Sequence, residues 1–170
     1  IVTIKGVSDD FEAMTGIDTM IVDGKYLLKE GDLDYALVGG GIAYNLQLNT
    51  GDLKSQLEIY APKKNEASLL NPEDAFNRRF LSATVIFSIQ QEFDTKYIIV
   101  PLRFAYEVLD KDSQLSTIEV GLKQGVDMEK MQVAICTKAK FIHYAGSSTS
   151  DKYYEYSIVL NRNRKLFFDC

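Results

Sequence analysis

The sequence is poor in the residues that build disulfide, zinc and histidine-based catalytic sites. It has two cysteines, Cys136 and Cys170, and one histidine, His143, in 170 residues. Two cysteines without a C-x-x-C spacing form neither a disulfide framework nor a zinc site, so we expect free thiols. His143 lies among aromatic residues in a strand-like stretch, and no G-x-S-x-G elbow accompanies it. We therefore interpret His143 as a partly exposed strand residue without a catalytic role.

The chain also lacks long apolar runs and an excess of basic residues. No apolar run approaches the roughly 20 residues that a transmembrane helix needs. The net charge is −5 and the isoelectric point about 4.9, which argues against a nucleic-acid-binding surface, because such surfaces cluster Lys and Arg. The chain begins at Ile1 with neither an initiator Met nor a signal peptide. We expect a fragment of a longer protein, whose remainder can hold membrane segments.

The composition is typical of a packed globular protein, with 46% hydrophobic and 25% charged residues. Alternating apolar residues predict strands, and apolar residues three and four apart predict helices. The predicted strands are residues 1–7, 53–60, 80–89 and 97–100. The predicted helices are residues 8–14, with Ser8 as N-cap, and 102–109, with Leu102, Ala105, Tyr106 and Leu109 on the buried face. The predicted fold class is α+β, with short strands and short helices.

A run of three glycines follows the apolar residues 36–38 and precedes a helical pattern that begins at Ile42. Ile42 and Leu46 are expected on one face of that helix. Gly39 and Gly41 fit the first half of a dinucleotide-binding G-x-G-x-x-G motif, but Tyr44 occupies the place of the third glycine. We interpret the run as a strand-to-helix turn that needs unusual backbone angles. The alternative is an enzyme domain that binds an anion at this turn.

Other candidate groups have structural interpretations. Asp32 and Asp34, or Asp110 and Asp112, could form a carboxylate pair, but without a second site element we interpret them as solvated loop charge. Asp127 is a candidate N-cap for a helix that carries Met128, Met131 and Ile135 on one face. We expect those methionines to be core residues.

A long loop over residues 62–79 is the one segment for which a partner-binding interpretation is competitive. It contains Pro62, Lys63, Lys64, Pro72, Arg78 and Arg79 and has little periodicity. Long loops within compact domains are often functional. Its basic residues are interpreted either as solvated loop charge or as a contact surface for an acidic partner, and the sequence leaves both interpretations open.

Four stretches in this order resemble the extracytoplasmic domain of ABC-transporter permeases of the lipoprotein-releasing and MacB/FtsX-like kind. They are residues 4–11, IKGVSDDF; 36–52, ALVGGGIAYNLQLNTGD; 80–89, FLSATVIFSI; and 97–109, YIIVPLRFAYEVL. The resemblance covers roughly residues 1–135. Two departures are IFS at residues 86–88, where the family has G-I-F, and Gln47 in place of a common glycine. The resemblance fades from about Thr137.

The resemblance implies a non-enzymatic periplasmic domain of a bacterial inner-membrane protein, without a cofactor. Residues 1–112 would form a small α/β subdomain, and residues 113–170 a partial porter-like segment with an atypical C-terminal tail. The implied partners are the membrane part of the permease, its ATPase subunit, and a periplasmic lipoprotein carrier or lipoprotein cargo, with two permeases paired in the full complex. The domain would relay nucleotide-driven motion, and a loop placed like residues 62–79 would recruit the carrier, chiefly through Pro62, Pro72, Arg78 and Arg79.

A secreted interaction module, which the tyrosine-rich tail permits, is a further alternative. A signal peptide without membrane helices in the full gene would distinguish it from a permease domain.

Overall fold

A seven-stranded mixed sheet forms the centre of the structure, a computed structural model that describes residues 1–50, 56–63, 75–110, Asp127, Lys130, Met131, Val133 and Ala134. The chain divides into two units, Ile1–Gln114 and Leu115–Cys170. The sheet lies in the first unit. In the second, the Asp127 carboxylate accepts a hydrogen bond from the Lys130 backbone N–H at 3.3 Å, as expected of an N-cap.

The elements follow one another as short strands with short helices between them. The strands are β1 (Thr3–Val7), β2 (Ile21–Gly24), β3 (Lys29–Glu30), β4 (Leu33–Gly39), β5 (Gln56–Pro62), β6 (Phe76–Phe87) and β7 (Tyr97–Pro101). The helices are α1 (Phe11–Thr15), a 3-10 helix (Ile17–Met20), α2 (Gly40–Leu46), α3 (Gln91–Asp94) and α4 (Leu102–Leu109). None of the helices in the described ranges is both long and apolar enough to span a bilayer.

The strand order is β1-β7-β4-β6-β2, with β3 paired to β4 and β5 paired to β6. β1 runs parallel to β7 and β4 runs parallel to β6, while the other pairs are antiparallel. This arrangement of parallel and antiparallel strands with interspersed short helices confirms the predicted α+β class.

Both faces of the sheet carry core residues. The first face, which includes Ala36, Val38 and Val100, packs against α2 and α4 through Ile42, Phe104 and Val108. The second face packs against α1, the 3-10 helix and the segment before β3; its core residues are Val7, Phe11, Ile17, Leu28, Leu37, Val85, Phe87 and Ile99. Since adjacent strand residues point to opposite faces, both Leu37 and Val38 are fully buried.

A β-bulge at Thr84 reverses the alternation of β6, so that odd-numbered residues face one side of the sheet before the bulge and the other side after it. Ala36 pairs with Ala83 and Leu37 pairs with Val85, so Thr84 is the extra residue. As a result Ala83 belongs to the first-face core, whereas Val85, two residues later, belongs to the second. The Thr84 hydroxyl donates to the Leu27 carbonyl at 2.7 Å, which ties the bulge to the segment that covers the second face.

Several predicted boundaries and faces are wrong. α1 begins at Phe11 with Asp10 as N-cap and no side-chain capping bond, so Ser8 is not the cap. In α2, which begins at Gly40, Leu46 is 56% exposed and Ala43 takes the buried place beside Ile42. In α4 the buried residues are Phe104, Ala105 and Val108, while Leu109 is 40% exposed. The helix is rotated in this way because it packs closely over β1, where Ala105 Cβ lies 2.5 Å from an ideal Cβ placed at Gly6.

Candidate functional site

The candidate site is the outward face of the hairpin formed by β5 and β6. In the register of this antiparallel pair, Glu58 lies opposite Phe80, Tyr60 opposite Arg78, and Pro62 opposite Phe76. These residues are exposed, whereas the intervening β5 residues Leu57, Ile59 and Ala61 are buried in the first-face core. The hairpin thus presents one buried face and one solvent face.

Three aromatic side chains and an arginine cluster on this solvent face. The rings of Tyr60 and Phe76 meet edge to face, with centroids 6.4 Å apart. The Arg78 guanidinium lies between two rings, 5.8 Å from the Tyr60 centroid and 5.0 Å from the Phe80 centroid. Tyr60 is 56%, Phe76 43% and Phe80 53% exposed. Tyr60, Phe76, Arg78 and Phe80 are called the aromatic–arginine face below.

Glu58 holds this cluster together at one side. Its carboxylate accepts a hydrogen bond from the Tyr60 hydroxyl at 2.6 Å and forms an ion pair with Arg78. The hydrogen bond from Tyr60 and the bond and charge of Arg78 lower the pKa of Glu58, against a smaller opposing effect of desolvation. The carboxylate therefore stays ionised and fixes the guanidinium beside the rings.

The aromatic–arginine face is exposed because the layer on the second face of the sheet ends before it. The second-face core includes Val85 and Phe87 of β6 but no residue of β5 and none of residues 76–82. Large aromatic residues on a strand face stabilise a sheet less when about half of their surface stays exposed, as it does for Tyr60, Phe76 and Phe80. A contiguous exposed apolar patch of this kind is typical of an interaction site.

The predicted partner-binding residues are only partly brought together. Pro62 ends β5, and the Lys63 backbone N–H donates to the Ala75 carbonyl at 2.8 Å. Arg78 and Arg79 lie within β6 rather than in a loop, which corrects the predicted loop end. Because neighbouring strand residues point to opposite faces, Arg78 belongs to the aromatic–arginine face and Arg79 does not. Lys64 and Pro72 lie outside the described residues.

The aromatic members of the face were missed by the sequence analysis. Tyr60 and Glu58 alternate with Leu57 and Ile59, which is a half-buried strand pattern with an aromatic residue on its polar side. Phe76, Arg78 and Phe80 show the same period of two, but Phe76 and Arg78 fall in the predicted loop of residues 62–79, and Phe80 is the first residue of the predicted strand 80–89. That alternation was the signal that could have identified them.

The glycine turn between β4 and α2 is filled by protein backbone. An ideal Cβ at Gly39 would lie 2.8 Å from Asp94 Cα, and one at Gly41 would lie 2.6 Å from Thr95 Cγ2. Gly39 has ordinary angles, φ −63° and ψ 141°, so close approach of α3, and not unusual backbone angles, is what requires glycine here. The predicted strand-to-helix turn is therefore retained, but the predicted reason for its glycines, unusual backbone angles, is wrong.

Asp94, which occupies the space in front of that turn, is buried with 8% exposure. Its carboxylate accepts hydrogen bonds from the Ser88 hydroxyl at 2.8 Å and from the backbone N–H groups of Ile89, at 2.8 Å, and Gln90, at 3.4 Å. These bonds close the β6–α3 connection. At the glycine turn itself, the Asp94 backbone with its carbonyl oxygen lies against Gly39 and gives an anion no favourable place, which weighs against the anion-binding alternative.

The remaining candidates in the described ranges are structural. Asp34 accepts a hydrogen bond from Arg103 Nε at 2.8 Å, and this bond raises the pKa of Arg103. The predicted solvated charge at Asp34 is therefore an ion pair between β4 and α4. Asp110 ends α4 in the left-handed conformation. No group of three His, Cys, Asp or Glu residues that could hold a metal is found in the described ranges. Asp112, Met128, Ile135, Cys136, His143 and Cys170 lie outside those ranges.

A shallow groove beside α2 has a volume of about 610 Å³ and is lined by Gly40, Ala43, Tyr44, Asn45, Gln47, Leu48 and Ile86. Among the described residues of this lining, tyrosine is the only ionisable type, so these residues do not supply a separate acid, base and nucleophile.

No protein-family model matches this chain, and comparison with curated proteins gives no match.

Proposed function

We propose that the chain is a non-catalytic interaction domain, and that the aromatic–arginine face is its contact surface for a partner protein. The observation that carries the proposal is the cluster of half-exposed Tyr60, Phe76 and Phe80 around Arg78 on one face of the sheet. Tyrosine, phenylalanine and arginine are enriched at protein interfaces, and Tyr and Arg dominate binding energy there. The ion pair with Glu58 pre-organises the arginine, which reduces the entropy lost on binding.

The proposed setting is the extracytoplasmic side of an ABC permease that releases lipoproteins or exports another hydrophobic cargo. The four stretches of the sequence resemblance supply the adjacent strands β1, β7, β4 and β6. The resemblance therefore lies in the sheet core, and of the aromatic–arginine face it includes only Phe80. In this proposal the core relays motion from the membrane part and its ATPase, and the hairpin selects the partner.

The proposed partner is a periplasmic lipoprotein carrier with an apolar contact surface and acidic residues at its rim. The rings bury apolar area against such a surface, while Lys63 and Arg79 at the edges of the hairpin attract the acids. Residues 56–80 carry four basic and four acidic residues, so this segment is neutral in a chain whose net charge is −5.

Calorimetric titration of the purified domain with the purified carrier of the same organism tests the proposal. We expect Tyr60→Ala and Arg78→Glu each to weaken binding by at least about tenfold, as loss of a central anchor does. Tyr44→Ala is the matched control, because Tyr44 is 85% exposed on α2, outside the hairpin, and its loss should leave affinity unchanged.

Two results would overturn the proposal. Carrier binding that is unchanged by Tyr60→Ala and Arg78→Glu would remove the aromatic–arginine face from it. A full-length gene that encodes a signal peptide and no membrane helices would replace the permease with a secreted interaction module, for which the same face would serve a different partner.

A further inference from the structure

The outer half of the β5–β6 hairpin is held to the rest of the domain by few elements. β6 pairs with β4 only from Ser82 onward, so among the described residues the part of β6 before Ser82 pairs with β5 alone. A two-stranded ribbon is marginally stable by itself in water. Packing of Ile59 and Ala61 against Val108 and the rest of the first-face core therefore decides where this ribbon lies.

One side chain joins the ribbon to the last turn of α4. Asn77 lies opposite Ala61 and so points to the first face. Its side-chain Nδ2 donates a part-buried hydrogen bond of 3.1 Å to the Val108 carbonyl. Val108 is in the final turn of α4, where carbonyls have no partner within the helix. Asn77 thus satisfies a helix end with a group from the hairpin.

The same helix end is where the described residues of the first unit stop. α4 ends at Asp110 in the left-handed conformation, with φ 51° and ψ 50°, and the second unit begins at Leu115. A non-glycine residue in this conformation is held there at an energetic cost. The Asp110 backbone N–H donates to the Tyr106 carbonyl, so a change of backbone conformation at Asp110 would alter the last helical turn.

We propose that the Asn77–Val108 hydrogen bond couples the C-terminal turn of α4 to the outer hairpin, and that a change at Asp110 thereby shifts the aromatic–arginine face. Asn77 is a positioning residue in this account, and its functional meaning rests on the proposed function of that face. The coupling itself is a property of the domain alone. An experiment can refute the coupling and leave the proposed partner binding intact, and it can refute the partner binding and leave the coupling intact.

Amide hydrogen exchange in the full chain, read by mass spectrometry, measures the coupling without a partner. Loss of one such hydrogen bond in Asn77→Ala should accelerate exchange in the hairpin segments Gln56–Pro62 and 76–81 by about fivefold, with β7 unchanged. Asn77→Asp should behave in the same way, because a carboxylate has no proton to donate to the Val108 carbonyl. Asn45→Ala, at an exposed asparagine of α2, is the control.

The helix end is then changed separately. Asp110→Val disfavours the left-handed conformation, whereas Asp110→Gly and Asp110→Asn retain it. We expect faster hairpin exchange in Asp110→Val only, and no additional effect in the double variant with Asn77→Ala, because both changes act through one contact. Multiplying effects in the double variant, unchanged exchange in Asp110→Val, or unchanged exchange in Asn77→Asp would each overturn the proposal.

Discussion

Gly39 lacks a side chain, and this allows the backbone of α3 to pack directly against the end of β4. The residue is buried at the end of β4, and the backbone of Asp94 passes close enough that no Cβ could be placed between them. Gly40, the next residue, has more room: an ideal Cβ there would lie 3.4 Å from the Phe87 carbonyl oxygen. Two neighbouring glycines therefore have different physical roles, and substitution separates them.

We expect Gly39→Ala to lower the free energy of unfolding by about 2–4 kcal/mol, because α3 must move away from the turn. Gly40→Ala should change it by less than about 1 kcal/mol, and can stabilise, since alanine loses less entropy than glycine in a helix. Urea denaturation of both variants checks this. Equal destabilisation by the two substitutions would contradict the role of the Gly39–Asp94 approach.

Tyr26 is a second residue whose environment sets a measurable property. Its hydroxyl oxygen is buried and has no hydrogen-bond partner among the described residues. Desolvation, followed by the negative charges of Glu12 and Asp9, raises the pKa of Tyr26 from 10.0 to about 12. The folded protein therefore keeps this proton in a pH range where the unfolded chain has lost it.

The stability that Tyr26 contributes is fully present below pH 10 and is lost as the pH rises toward about 12. We expect Tyr26→Phe to flatten this decline, and to be neutral or slightly stabilising at pH 8, because it removes a buried hydroxyl without a partner. Urea midpoints measured between about pH 8 and pH 11.5 test both points. Tyr44→Phe, at an exposed tyrosine, should follow the parent protein throughout. Parallel curves for the parent and Tyr26→Phe would contradict the assignment.

At the scale of elements, β6 connects the covered and the uncovered parts of the sheet. Its C-terminal half lies between β4 and β2, and its N-terminal half forms the hairpin with β5. The bulge at Thr84 separates the two halves and is hydrogen-bonded through Oγ1 to Leu27 and through its carbonyl to the Lys25 N–H. The bulge is thus fixed by the segment that covers the second face.

Replacement of Thr84 by valine keeps the branched shape and removes the hydrogen bond to Leu27. We expect a loss of about 1 kcal/mol in the free energy of unfolding, the usual net value of such a bond. Thr3→Val, at an exposed strand threonine of β1, should cost less than about 0.5 kcal/mol. Denaturant melts of both variants provide the comparison. No difference between them would show that the hydroxyl does not hold the bulge.

The predictable parts of the fold are those where a local pattern coincides with a buried face. Residues 97–100 are apolar throughout and form most of β7, and the alternation from Leu57 to Ile59 gives the inward face of β5. The sequence does not predict residues 76–79 as part of a strand, because their one aromatic residue, Phe76, is followed by three polar residues and no apolar pattern marks a buried face. The bulge at Thr84 could not be predicted, since it depends on a pairing with β4 about 50 residues away.

The candidate site was predictable in position but not in composition. The basic residues of 62–79 predict a partner-binding segment there, and one of them, Arg78, is in the aromatic–arginine face. Arg79 follows it in sequence but points to the other face, a distinction that only the strand assignment supplies. Tyr60 and Phe80 come together because of the antiparallel register, which no property of either strand alone specifies.

At the scale of the whole molecule, charge and apolar area have different distributions. The chain is acidic, with a net charge of −5, and the hairpin contributes Arg78 on one face and Arg79 on the other. Arg78 is neutralised by Glu58, whereas Arg79 has no ion pair with any described residue. Arg79 therefore places a positive charge on the face opposite to the aromatic–arginine face, and this charge and the apolar area should affect different steps of binding.

Stopped-flow association with the proposed carrier separates the two contributions. We expect the association rate of the parent domain to fall at least about fivefold between about 50 and 500 mM salt, because screening shortens the range of attraction. Arg79→Gln should reduce this salt dependence with little effect on dissociation, since Arg79 lies outside the aromatic–arginine face. Phe80→Ala should instead speed dissociation and leave the salt dependence of association unchanged, because it removes apolar contact area and no charge. Two results would contradict this assignment: association that is insensitive to salt, or a Phe80→Ala variant that alters the salt dependence as much as Arg79→Gln does. In either case Arg79 would not control association and Phe80 dissociation as proposed.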